Sequence, residues 1–102
     1  MNTGIPYTAR HLEIEFDRAK DASNLAKRGL SLARAADLVE TIEVIDNRRD
    51  YGEVRVICVG LIEDRVHVCV YTPRGRNRRI ISLRKANRRE AAAYRQARQG
   101  AP

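Results

Sequence analysis

Glu53 and Arg55, two apart in "YGEVR", followed by His67 and Tyr71 in "HVCVY" and by Arg79 and Arg84 in "RRIISLR", supply acids, bases and fixed cations within 32 residues. Cleaving an RNA phosphodiester without a metal needs those side-chain types. A base takes the proton of the 2′-hydroxyl, an acid protonates the leaving oxygen, and cations hold the charge that builds on the phosphorane. His67 and Glu53 are candidates for the base, Tyr71 for a proton relay or a stacking surface, and Arg55, Arg79 and Arg84 for charge stabilisation. Each has a plainer explanation as well. A lone His on a sheet face is commonly a packing residue, and Glu53 beside Arg55 reads equally as a surface ion pair.

Other chemistries find no footing. Cys58, Cys69, His11 and His67 form neither a CxxC nor an HxxxH spacing, so no metal or other cofactor is expected. "TPRGRN" lacks the GxxxxGK phosphate loop, and no GxSxG elbow occurs. The two cysteines are expected to remain thiols in a reducing, cytoplasmic compartment. No apolar run reaches the roughly 20 residues of a membrane helix, and "MNTGIPYTARH" lacks the apolar region of a signal peptide.

The charge points to a polyanion. The chain carries a net +7 with a sequence pI near 10.1, unevenly divided. Residues 1–64 hold nine Lys or Arg against twelve Asp or Glu, whereas residues 65–102 hold eleven against Glu90 alone. Focused charge of this kind favours nucleic acid or an acidic protein partner. "RGRNRRIISLRKANRRE", residues 74–90, is its densest part, and Arg74, Arg76, Arg78, Ser82, Lys85, Arg88 and Arg89 are its candidate RNA contacts. The residues alone therefore indicate a polyanion binder with the means to cleave RNA.

The elements that must position these groups follow from pattern. One domain is expected over 11–98, with a mobile arm at 1–10 and a tail at 99–102. "LEIEF" alternates like a strand. Asp17 caps a helix through "RAKDASNLAKR" that stops at Gly29, and Ser31 caps a second, short helix, "LARAADLVE". "TIEVID", "EVRVICVGLI", "RVHVCVYT" and "RRIISLR" read as an antiparallel meander. Asn87 and Glu90 form a capping box before the helix "RREAAAYRQAR". The expected class is α+β in the order βααββββα, with two N-terminal helices on one face of the sheet.

Register follows from loop length. A two-residue loop at Glu63 and Asp64 sets Cys58 opposite Cys69 and places Ile57, Val59, Leu61, Val66, Val68 and Val70 on one face, the expected core. Pairing Val70 with Ile81 and Val68 with Leu83 would gather His67, Cys69, Tyr71, Ile80, Ser82 and Arg84 on the other face. That second face would be left for the last helix or a ligand.

Four strings in this order, "FDRAKDASNLAKRGLSLARA", "YGEVRVICVG", "RVHVCVYTPRG" and "RIISLRKANRREAAAY", resemble the BrnT family of ribonuclease toxins of type II toxin–antitoxin systems. The resemblance spans about residues 12–95. It implies a RelE-like fold, cleavage of RNA that halts translation, and a BrnA-like antitoxin that neutralises the toxin and carries the complex to operator DNA. By motif it singles out Lys27, Glu53, Arg55, Tyr71, Arg79, Ser82, Arg84 and Lys85. Arg28 stands where the family more often has His, and Ile14 and Phe16 where an aromatic pair is usual. A helix end favours either cation, so Arg28 can fill the place of a His that only packs or caps. The competing expectations are a toxin-like scaffold that has lost catalysis and only binds nucleic acid or an antitoxin, and a basic face that serves as antitoxin dock and RNA site alike.

Overall fold

A computed structural model describes residues 13–100; the expected N-terminal arm and residues 101–102 lie outside that range. Strand β1 (Ile14–Glu15) leads into helix α1 (Arg18–Arg28), a 3-10 helix (Leu32–Asp37), strands β2 (Val39–Ile45), β3 (Val56–Ile62), β4 (Arg65–Arg74) and β5 (Asn77–Lys85), and helix α2 (Arg88–Gly100). The class is the expected α+β, with a five-stranded, mostly antiparallel sheet and helices, of which the second is a 3-10 segment.

Local chemistry explains where the helices start and stop. The Asp17 carboxylate accepts from the amides of Ala19 (2.7 Å) and Lys20 (3.1 Å), and Gly29, at φ 67°, ends α1 in the left-handed conformation. Asn87 and Glu90 close a reciprocal box on α2, with backbone to side-chain bonds of 2.8 and 2.9 Å. The second helix is shorter than "LARAADLVE" suggests. It is a single 3-10 segment ending at Asp37, and Val39 and Glu40 join β2 instead. A helix this short gains little from its own hydrogen bonds. Val39 gains more by pairing with Leu61 of β3.

The five strands are ordered β1-β5-β4-β3-β2. Four run antiparallel in sequence, as expected, but β1 lies parallel to β5, with Ile14 opposite Arg78 and Glu15 opposite Arg79. No short hairpin constrains that pair, so packing decides its direction. The β3–β4 register has Cys58 opposite Cys69 throughout a ladder closed by Glu63 and Asp64 at φ 50° and 66°. At Gly60 a Cβ would stand 2.7 Å from Thr41 Cγ2 and 2.8 Å from the Val39 carbonyl. Glycine lets the irregular start of β2 come this close.

The β4–β5 register needs correction. Val70 pairs with Ser82 and Val68 with Arg84, while Tyr71 pairs with Ile80. Ile81 is thus an extra residue, a bulge that moves every side chain on one side of it to the opposite face. Leu83 drops into the core at 0% exposure, and Ser82 and Arg84 leave the face of Tyr71.

Both faces are covered. The 3-10 helix, β1 and Leu30 pack over Cys58, Cys69, Tyr71, Ile80 and Leu83, and buried Leu32 sits among them. Helix α2 packs Tyr94 and Ala91 over Val66, Val68, Ile57, Val59 and Leu61. This reverses the expected assignment, in which the two N-terminal helices covered the valine face. "VICVGLI" is apolar at both parities, so alternation does not say which side meets which helix. No helix among the described residues is long and apolar enough to cross a membrane.

Candidate active site

Opposite residues of the ladders divide the candidate side chains between the two faces. Arg79 pairs with Thr72, Ser82 with Val70 and Arg84 with Val68, so all three share the α2 face. The bulge at Ile81 is what brings Arg79 into line with Ser82 and Arg84. Glu53 joins them through Thr72, whose hydroxyl donates to its carboxylate at 3.3 Å. Arg55 lies 3.8 Å from that carboxylate.

The loop before β3 is built around Asp46. Its carboxylate, 6% exposed, accepts from the Arg48 guanidinium at 2.7 and 2.8 Å, from the Arg48 amide at 3.1 Å and from the Tyr51 hydroxyl at 2.9 Å. These bonds, those from the Arg48 side chain above all, hold Asp46 well below the usual carboxylate range. They also hold the Tyr51 ring, over which the Arg55 guanidinium packs at 4.2 Å. Arg55 Nε is buried and has no hydrogen-bond partner among the described residues; its distance from Glu53 is too long for a hydrogen bond.

The other cations of this face are engaged. Glu15 accepts from Asn77 and from Arg79, each at 3.1 Å, and these two bonds lower its pKa. Arg84 grips Glu90 through two bonds of 2.7 and 2.8 Å. That fork, with the Asn87 amide, takes Glu90 down to about 2.

Tyr71 and His67 lie on the opposite face. Tyr71 is buried, and its hydroxyl donates to Glu43 at 2.8 Å; burial first, and that bond second, push its pKa up to about 12. Arg78 stacks over its ring at 4.9 Å and stands 3.7 Å from Glu43. A cleft of about 510 Å³ opens here between the sheet and the 3-10 helix. His67 is 4% exposed, with Nδ1 donating to the Arg65 carbonyl at 2.8 Å. Cys58 and Cys69 beside the cleft are free thiols, each raised by burial to about 12.

The remaining basic residues are scattered. Arg74 and Arg76 are exposed at the β4–β5 hairpin, Lys85 at the end of β5, and Arg88 and Arg89 in the first turn of α2. Lys27 is exposed on α1. Sequence reasoning missed Asp46, Thr72, Glu15 and Glu43. Tyr51 was within reach, as the first residue of "YGEVR". The pairing of Glu15 with Arg79 spans 64 positions and leaves no local signal.

A family model described as "Ribonuclease toxin, BrnT, of type II toxin-antitoxin system" matches residues 16–90. The chain belongs to the BrnT family. The match contains every residue of the site just described except Glu15. A BrnT toxin belongs to a two-protein system, with RNA as its target and an antitoxin protein as its partner. No curated protein and no solved structure matches the chain.

Proposed function

We propose that this BrnT chain is a metal-independent endoribonuclease that works on the α2 face of its sheet. In this reading Glu53 takes the proton of an RNA 2′-hydroxyl. The O2′–P bond forms as the P–O5′ bond breaks, and Arg55 and Arg79 hold the non-bridging oxygens as charge builds on them. Water protonates the departing 5′-oxygen. Thr72 orients Glu53, and Tyr51, held by Asp46, fixes the plane of Arg55. Arg74 and Arg76 draw in the flanking phosphates. Tyr71 holds Arg78, and His67 is a packing residue.

One observation carries this assignment. Arg55 presents a buried N–H with no partner next to a carboxylate. An unpaired buried donor is costly, and a phosphate oxygen would satisfy it. Cleavage in cytoplasm would halt translation, a BrnA-like antitoxin would neutralise it, and operator DNA would be reached through that antitoxin. The βααββββα order and the sheet with helices on both sides fit a RelE-like fold.

The test is cleavage of RNA by purified protein in excess chelator, compared with Glu53→Gln and Arg55→Ala. Loss in both folded variants is expected; wild-type rates in both would sink the assignment. A binding module without catalysis is the second reading, favoured by the fact that Arg79 and Arg84 are already paired to Glu15 and Glu90. RNA bound but uncut, with or without added divalent ions, would establish it.

A further inference from the structure

We propose that the exposed edge of β2 is the docking site of the antitoxin, which adds an extended, largely apolar segment beside β2 and lays an acidic end over Arg48, Arg49 and Arg55. The partner's class follows from the family. That such docking blocks cleavage rests on the reading above.

β2 is the outermost strand of the sheet and seven residues long. Edges of this kind are usually blunted by lysine, proline or a covering element, because their free backbone groups pair with any strand that arrives. β2 contains no Lys, Arg or Pro. Of the five large hydrophobic side chains most exposed among the described residues, Val39 (50%), Val44 (55%) and Ile45 (54%) lie on it and Val54 (53%) lies near its end. The acids of this segment are spent internally: Glu40 on Arg98 at 2.9 Å, Glu43 on Tyr71, Asp46 on Arg48. The Glu40 carbonyl accepts from the Tyr94 hydroxyl, but no strand among the described residues pairs with the outer side of β2, so apolar side chains and strand backbone remain for a partner, the combination that strand addition uses.

The edge leads to the candidate active site. The Asp46 amide donates to the Arg55 carbonyl at 2.8 Å, and Val54 stands between Glu53 and Arg55 in the chain. A segment running beside β2 from Val39 to Ile45 therefore arrives at Arg48, whose side chain is 74% exposed, and at Arg49, which is exposed near the Tyr51 ring. Carboxylates at that end would take the place of RNA phosphates. Arg48 and Arg49, exposed at that end, attract an acidic segment, while the net +7 of the chain as a whole opposes association with its own copy, which sets the antitoxin above a second toxin on this edge.

The experiment uses the full chain and the antitoxin of its own system, with affinity read by calorimetry and contact read by amide hydrogen exchange. Binding should slow exchange over residues 39–46 and 54–55. Val44→Lys combined with Ile45→Lys should weaken the complex about a hundredfold while the free variant cuts RNA at the wild-type rate. Unchanged affinity, or protection confined to other segments, overturns the proposal. So does a free chain that sediments as a dimer and becomes monomeric in the double variant, since the edge then belongs to a second copy. If the footprint appears on β2 and the chain cuts no RNA, the docking site stands and the nuclease reading falls.

Discussion

The two faces of one sheet treat their charged groups differently. Under the 3-10 helix, Tyr71, Glu43 and Arg78 engage one another beside two buried thiols. Under α2, Arg84 is equally well satisfied by Glu90, but Arg55 keeps a buried Nε donor without a hydrogen-bond partner among the described residues. Both faces are made by alternate residues of the same strands, so neither strand identity nor composition separates them. What separates them is whether each donor has an acceptor in the free protein. A closed network stabilises, and in the proposed reading the unfilled donor is where a phosphate oxygen binds.

The largest expected effect tests that contrast directly. Arg55→Ala should lower the RNA cleavage rate by about 10²- to 10³-fold with little change in thermal midpoint, whereas Tyr71→Phe should leave cleavage within a few fold. Equal loss in the two variants, measured in single-turnover assays, would mean that the chemistry spans both faces. Next in size, Arg84→Ala removes a two-bond fork and leaves Glu90 to the Asn87 amide. It should cost about 1–2 kcal/mol, seen as a midpoint several degrees lower in calorimetry, with cleavage reduced far less than in Arg55→Ala.

A pH titration sharpens the same point. Glu90 has its folded pKa lowered to about 2, so the stability that it adds is present above the ordinary carboxylate pKa near 4.5 and is lost as pH falls toward 2. Glu90 is about a third exposed, so solvent screening holds this to about 1 kcal/mol. Glu90→Gln should flatten that part of the stability–pH curve; an unchanged slope would assign it to other carboxylates. The smallest effect concerns the closed face. With thiols raised to about 12, Cys58 and Cys69 should alkylate far more slowly than an exposed cysteine at pH 8 in the folded protein, and at ordinary rates once denaturant is added.

Much of the scaffold was legible in the residues, but less of the site. Asp17, Gly29 and the Asn87–Glu90 box announce their helix ends, and the two residues Glu63 and Asp64 set Cys58 opposite Cys69. Glu53, Arg55 and Arg79 were nameable as candidates from type and spacing. The face of Ser82 and Arg84 was not, because one bulge at Ile81 reverses the parity of that part of β5 and no residue there advertises it. Asp46 and Thr72 were invisible for a similar reason: a carboxylate in "TIEVID" and a hydroxyl in "VYTP" acquire their roles only from the side chains they meet.

The sequence by itself therefore determined the α+β class, the helix caps and the β3–β4 register. These depend on contacts between near neighbours in the chain, where steric periodicity and turn geometry leave few choices. Tertiary structure alone decided the parallel placement of β1, the bulge, which helix covers which face, and the pairing of Arg79 with Glu15. Each depends on pairing between distant segments, and there the packing of whole elements outweighs any local preference.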